Sequence, residues 1–297
     1  MFSFPISYIE PVFRPPSEAQ SLILPVTNGC SWNKCTFCEM YTEEQKKFRA
    51  RKDEEIFADI QRAAQRLAGV RKVFLADGDA MVLPTRRLVA ILEELRRAFP
   101  DLQRVSSYCL PRNIAKKSVE ELAELQALGL DILYVGMESG DSEVLDKVNK
   151  CETYETTVDA LNKIHAAGLR SSVMVLNGLG GKRYSEQHAL NSAKAINATR
   201  PHYVSTLIVS FPQGEARFRE RFTDYEPLNQ KELFEELRLF ISQLDLQSTI
   251  FRSDHASNYL PLKGVLGKDK QRLLEQLDMA IHHPDRMILR QEWQRGL

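Results

Sequence analysis

Cys30, Cys35 and Cys38 are three of the chain's five cysteines and fall within nine residues. They stand on Thr27-Asn28-Gly29-Cys30-Ser31-Trp32-Asn33-Lys34-Cys35-Thr36-Phe37-Cys38, whose Asn-Gly opening marks a loop. A short irregular loop can turn every thiol inward onto one metal centre, and soft thiolates favour zinc or an iron-sulfur cluster. A disulfide would join two of them and leave the third unexplained. Structural zinc is normally closed by four protein ligands, but no fourth cysteine or histidine stands near this loop. Cys109 and Cys151 are distant and lack paired spacing, so no auxiliary cluster is expected. An iron-sulfur cluster also usually takes four cysteines. Three would leave one iron able to bind a small molecule, as catalytic metal sites keep a position open. The expected chemistry is therefore a cluster carrying a non-protein ligand, with zinc or a redox thiol group as the alternatives.

The whole chain narrows the setting. Basic and acidic residues number 40 each among 297, so the formal net charge is zero. That removes the electrostatic case for a general nucleic-acid binder. No apolar run approaches the roughly 20 residues that cross a bilayer. The start, Met1 to Ser7, has no secretory pattern. An odd cysteine count with three clustered points to a reducing, cytoplasmic location. The small-molecule ligand implied by the open iron is the expected partner, with no membrane.

The elements that must position the loop follow from periodicity. Residues 1–20, broken by Pro5, Pro11, Pro15 and Pro16, are expected as an extended arm. From 21 to 211, apolar runs alternate with helical stripes: Ser21 to Val26, Val70 to Ala76, Gln103 to Cys109, Ile132 to Met137, Ser171 to Leu176 and Tyr203 to Ser210 read as strands. The helices between them include Ile56, Ile60, Ala63, Ala64 and Leu67 on one face and Leu88, Ile91, Leu92 and Leu95 on another. Six strand-then-helix units predict a parallel α/β fold, a partial (β/α)6 barrel in preference to an open doubly wound sheet. Residues 212–297 are expected as a C-terminal extension covering the barrel mouth. In either architecture the strand C-termini line the active face.

Those ends carry the remaining candidates. Asp77-Gly78-Asp79 offers close backbone approach and carboxylates for an ammonium. Glu138 can accept from both hydroxyls of a diol, with Ser139 beside it, and Asn177 and Gly178 close a further strand. Tyr108 and Arg112 follow the third strand. Arg252, Asp254, His255, Asn258 and Tyr259 crowd into one late segment. There Arg252 suits a carboxylate or phosphate and His255 a proton transfer. Tyr108 and His255 are the catalytic candidates; Arg112, Arg252, Asp254, Asn258 and Tyr259 are the substrate-binding ones. Trp32 and Trp293 read as packing residues, and His188 has no chemical company in the sequence.

The cysteine loop resembles that of the radical S-adenosylmethionine (radical SAM) superfamily, whose common form is C-x3-C-x2-C with an aromatic before the last cysteine. Phe37 fills that place, and Ser31 to Lys34 put four residues instead of three in the first interval. Asp77-Gly78-Asp79 stands where the family has Gly-Gly-Glu on the methionine amino group, which carries Gly78 and Asp79 over more readily than Asp77. The stretch Tyr134 to Asp141 is similar to that of the oxygen-independent coproporphyrinogen dehydrogenases, where polar groups meet the ribose. The resemblance implies a 4Fe-4S cluster on Cys30, Cys35 and Cys38. It implies S-adenosylmethionine held by Phe37, Gly78, Asp79, Glu138, Ser139 and Asn177, and an electron donor such as flavodoxin or ferredoxin. It further implies a 5′-deoxyadenosyl radical that abstracts hydrogen from a small-molecule substrate. An RNA-modifying member such as a methylthiotransferase would be expected to carry further cluster cysteines and a basic appendage, and a non-catalytic iron-sulfur or zinc protein is the other alternative.

Overall fold

A computed structural model describes residues 5–296. The chain forms two compact units interleaved in sequence. One runs up to Asn33 and takes in Cys38–Val135 and Asn162–Arg170; the other takes Lys34–Phe37, Gly136–Leu161 and the chain from Ser171 on.

The first unit starts with the proline-broken arm, whose only regular piece is a 3-10 turn at Pro16–Glu18. Strand β1 (Leu22–Pro25) follows, and β2 (Thr27–Asn28) pairs antiparallel with β3 (Arg49–Ala50), Thr27 opposite Ala50. The cysteine loop is thus the connection of a two-stranded ribbon, tied at both ends by ladder bonds. Helix α1 (Asp53–Arg66) buries Ile56, Ile60 and Ala63 of its expected stripe, leaves Ala64 half-buried and ends before Leu67, and it opens on three acidic residues that complement the helix dipole. Strand β4 (Lys72–Ala76), helix α2 (Thr85–Ala98) and strand β5 (Arg104–Cys109) come next. A short α3 (Pro111–Ala115) leads to α4 (Val119–Ala127), which begins with a Ser118/Glu121 capping box. Strand β6 (Leu130–Glu138) crosses from the first unit into the second. Strands β1, β4, β5 and β6 lie side by side in that order and all parallel. Parallel pairing needs helix-length crossovers, which α1, α2 and α4 supply. On one face of this sheet Phe74, Tyr108 and Tyr134 meet edge to face, with centroids 5.0 Å apart for Phe74 and Tyr108.

In the second unit α5 (Ser142–Lys147) is capped by Asp141, and α6 (Tyr154–Ala166) leads to β7 (Arg170–Asn177). Helix α7 (Gly181–Thr199) and strand β8 (Tyr203–Ile208) complete the sixth strand-helix alternation. Then come α8 (Ala216–Arg219), α9 (Gln230–Ser242), β9 (Ile250–Ser253), β10 (Leu262–Val265) and α10 (Leu266–His282). Strands β7, β8 and β9 are parallel, and β10 returns antiparallel on β9. A cluster of Val144, Val148, Leu176, Leu179, Phe218 and Phe222 fills the interior beside α5 and α7. The parallel α/β architecture is the one expected. Strands β9 and β10 form where the sequence showed only a crowd of polar residues: Phe251 and Leu262 are buried while Arg252 and Lys263 are exposed, a two-residue alternation too short to stand out in the sequence.

Candidate functional site

In the first unit the cysteine loop is fastened before any ligand arrives. Asn28 Nδ2 donates to the carbonyls of Gln45 at 2.7 Å and Lys47 at 3.1 Å, drawing the far end of the loop back to its start. Gly29 has φ 73°, and a Cβ there would overlap the Lys46 carbonyl. Gly78, φ 88°, is pressed on the other side: a Cβ would overlap the Gly29 carbonyl and meet Cys30 N at 2.9 Å. The close approach expected of Gly78 is therefore real, and its nearest neighbour is the cysteine loop. Glycine alone satisfies both the left-handed φ and the absent side chain.

The carboxylates flanking Gly78 have separate fates. Asp77 is buried and takes the Lys46 ammonium on Oδ2 and the Tyr41 hydroxyl on Oδ1 at 3.0 Å. Burial pushes the Asp77 carboxyl up, with Lys46 pulling against it. Lys46 is itself fully buried and donates to Ile9 O at 2.7 Å, so this pair pins the loop's tail and the N-terminal arm to the end of β4. Asp79 is equally buried but faces the front of the loop. It accepts from Ser31 Oγ and Asn113 Nδ2, and burial holds its carboxyl up at about 6 against those bonds and the nearby Arg112. Arg112 lies over the Trp32 ring at 4.3 Å, so the widened interval between Cys30 and Cys35 supplies two contacts, Ser31 to Asp79 and Trp32 to Arg112. Trp32 thus does more than the packing expected of it.

Tyr108 faces the same way as Phe74 and Tyr134. Burial first, then the charges of Asp77, Tyr134 and Cys38, push its hydroxyl far above the usual range, so it stays protonated at any physiological pH.

In the second unit the middle of the loop rests on the turn after α5. Thr36 N–H donates to Val148 O and Asn149 Nδ2 to Lys34 O, each at 3.0 Å. Phe37 packs on the apolar cluster with the Lys150 ammonium 5.9 Å from its ring. Lys150 is buried and donates to Glu138 Oε1 at 3.0 Å; the other oxygen, Oε2, is buried with no hydrogen-bond partner. Glu138 also sits at φ 64°, a left-handed conformation that costs a non-glycine residue about 1–3 kcal/mol. A strained backbone thus holds a half-satisfied buried carboxylate with one oxygen left as an acceptor. Lys150 was missed in the sequence because nothing links it to Glu138 except a turn twelve residues later.

Several expected contacts are spent elsewhere. Ser139 is fully buried, accepts the Asp141 N–H at 3.0 Å and lies 2.8 Å from His188 Nδ1, which makes it a turn-forming group. Asn177 gives its amide to Leu233 O at 3.0 Å. In the late segment, His255 Nδ1 accepts the Ser257 N–H at 3.1 Å, and burial, with Arg290 nearby, pushes its pKa down. Asn258 donates to Thr206 O at 2.8 Å, and the Tyr259 hydroxyl donates to Glu292 at 2.7 Å. Asp254, His255 and Asn258 give their carbonyls to Arg290. These residues, expected to bind substrate and move a proton, lie together in a loop strapped by the C-terminal tail. Arg252 stands apart: it is exposed on β9, in register with Ser205 on β8 and Lys263 on β10, and has no ion pair among the described residues.

The donor set fits a 4Fe-4S cluster in kind and number. Cys30, Cys35 and Cys38 are in no disulfide, and all three are partly exposed on an irregular loop. Among the described residues no three His, Cys, Asp or Glu side chains are gathered on a single ion; a cubane asks instead for thiolates that each take a different iron. No helix among the described residues is long and apolar enough to cross a membrane.

A family model described as the radical SAM superfamily matches residues 24–196. The 4′-phospho-dehydrooxetanocin synthase of Priestia megaterium is 26% identical over 165 residues, covering 50% of this chain and 22% of the relative's length. Among solved structures, coproporphyrinogen III oxidase (HemN) from Escherichia coli, described as a radical SAM enzyme, is 20% identical with a TM-score of 0.59, over 75% of this chain and 52% of that one. Methylornithine synthase (PylB) is 16% identical with a TM-score of 0.53, over 87% of this chain and 81% of that one. These likenesses establish the fold as the partial barrel expected, and the chain spans only about a fifth of the curated relative's length and about half of the coproporphyrinogen oxidase.

Proposed function

The chain belongs to the radical SAM superfamily, and from that premise we propose that it binds a 4Fe-4S cluster on Cys30, Cys35 and Cys38 and reductively cleaves S-adenosylmethionine to act on a small-molecule substrate. The observation that carries this reading is the joint construction of loop and strand end. Gly78 abuts the Gly29–Cys30 peptide, and Ser31 holds Asp79, so the thiol loop and the carboxylate for an ammonium are one assembly.

A 4Fe-4S cluster held by Cys30, Cys35 and Cys38 would supply the electron for reductive cleavage of S-adenosylmethionine and so the hydrogen-abstracting chemistry expected of the family. The chain's own residues bind and orient. Asp79 takes the methionine ammonium, and its buried setting gives the ion pair a low-dielectric home. Glu138 takes the ribose hydroxyls on Oε2 while Lys150 holds Oε1. Phe37 shields the cluster side, its ring held by the apolar cluster of the second unit. Arg112, steadied on Trp32, and Arg252 supply positive charge for the substrate. Tyr108, protonated and on the aromatic face, donates a hydrogen bond. The electron comes from a low-potential carrier such as flavodoxin or ferredoxin, and the reducing cytoplasm is where such a loop stays intact.

Protein reconstituted with iron and sulfide without oxygen is expected to show cluster absorbance and to form 5′-deoxyadenosine from S-adenosylmethionine under reduction. Replacing all three cysteines with serine is expected to abolish both. A fully loaded cluster that yields no 5′-deoxyadenosine, or zinc in place of iron, would overturn the reading.

A further inference from the structure

One carboxylate of helix α9 reaches the turn that ends β7 directly and the turn that ends β6 through His188. Glu236 is 3% exposed; its Oε1 accepts the Gly178 N–H and its Oε2 the Ser185 hydroxyl, each at 2.6 Å. His188, buried on α7, stands with Nε2 3.8 Å from Glu236 Oε1 and with Nδ1 2.8 Å from Ser139 Oγ. Ser192, one turn further along α7, accepts the Gly140 N–H at 2.8 Å. The two peptides after Glu138 are therefore fixed by α7, and α7 is fixed by Glu236. The turn after β7 is held from the same side: Leu233 O takes the Asn177 amide, and the Tyr225 hydroxyl donates to Gly178 O at 3.0 Å.

Apolar side chains would dock a helix at less cost, because burying a carboxylate strips its hydration and burial pushes the Glu236 carboxyl up. The expense falls beside the one residue of this unit that pairs a left-handed backbone with an orphaned carboxylate oxygen. Such a conformation persists only where its surroundings over-determine it.

We propose that Glu236 is a positioning residue for the nucleoside end of the cofactor site: through Gly178 and through the His188–Ser139 contact it holds Glu138 in the conformation that presents Oε2 to the ribose. The inference rests on the ribose role assigned to Glu138 above. Glu236 touches neither cofactor nor substrate. The segment from 212 on is by this account part of the binding apparatus, because it supplies the anchor.

Two variants test it. Glu236→Gln keeps the volume and the acceptor for Gly178 but removes the charge facing His188; Ser139→Ala cuts the far end of the relay and leaves α9 untouched. In cluster-loaded protein each is expected to raise the Kd for S-adenosylmethionine about tenfold and to weaken 5′-deoxyadenosine alike, with methionine affinity, iron content and thermal midpoint near wild type. In cluster-free protein, amide hydrogen exchange at residues 136–141 is expected to quicken in both. Unchanged nucleoside affinity together with unchanged exchange at 136–141 would overturn the inference, as would equal weakening of methionine and 5′-deoxyadenosine, the mark of a merely structural role. Wild-type protein that loads a cluster yet ignores S-adenosylmethionine would refute the cofactor reading, and the exchange measurement, which needs no cofactor, would still judge the relay.

Discussion

Asp79 and Asp77 are one glycine apart, and their partners give them opposite tasks. Asp77 has a buried lysine and is finished as a structural group. Asp79 has only neutral hydrogen-bond donors on its oxygens, and burial keeps its carboxyl at about 6, above its unfolded value near 3.9. The folded cluster-free protein therefore binds a proton there more tightly than the unfolded chain does. Its stability should fall as pH rises from about 4 to about 6, and Asp79 withholds up to about 3 kcal/mol above that range. Asp79→Asn removes this dependence, so the difference in urea midpoint between variant and wild type should grow in the variant's favour over that window and stay level from pH 7 to 8. In the function proposed for Asp79, the ammonium of the ligand would supply the missing charge and offset this cost. The sequence exposed the Asp-Gly-Asp grouping but not which carboxylate was committed, because Lys46 and Tyr41 come from a loop whose path is set only by folding. The same limit hid Lys150, His188 and Glu236: each meets its partner across a turn, a helix or a strand-to-helix span that no local pattern encodes.

At the scale of elements, the ribbon of β2 and β3 turns a twenty-residue excursion into a closed loop. Glycine at 78 is the contact on which that loop rests. Gly78→Ala places a methyl group inside the Gly29 carbonyl and forces an unfavourable φ. The expected result is a loss of more than about 1 kcal/mol in stability, from the backbone alone, and iron uptake on reconstitution well below wild type, measured per folded chain. Iron content equal to wild type would show that the loop does not depend on this contact. Helix stripes and strand runs were legible because burial imposes their periods; α2 buries every residue its spacing announced, and α1 buries Ile56, Ile60 and Ala63 but not Ala64 and Leu67 at the fraying end of its stripe. The pair β9 and β10 was not, since four-residue strands carry too few alternations to rise above a polar background. How the late polar crowd is held was hidden for a related reason. Asp254, His255, Asn258 and Tyr259 cluster in the sequence because a tight loop needs turn-formers, and Arg290 and Arg295 lash it from a tail thirty-odd residues on.

For the molecule as a whole, charge balance is the property that reaches furthest. A formal net charge of zero gives no counterion release to drive unspecific binding. Bulk RNA should accordingly show no gel shift at about 150 mM salt, where a phosphate-contacting appendage would still hold it. A clear shift would favour the RNA-modifying alternative and move the substrate class from small molecule to nucleic acid. Six strand-helix alternations are the part of the architecture that the linear sequence did convey, and family membership rests on residues 24–196, within which the cysteines, Asp79 and Glu138 all lie. What lies beyond, including α9, contributes the anchor proposed for Glu236.

The buried lysine at position 46 has one more implication. Because its bond to Asp77 and its grip on Ile9 owe nothing to iron, the bed beneath the thiols outlasts the inorganic core it serves. Oxygen damage would then empty the seat without collapsing it, and repair would amount to refilling a standing mould instead of rebuilding a protein.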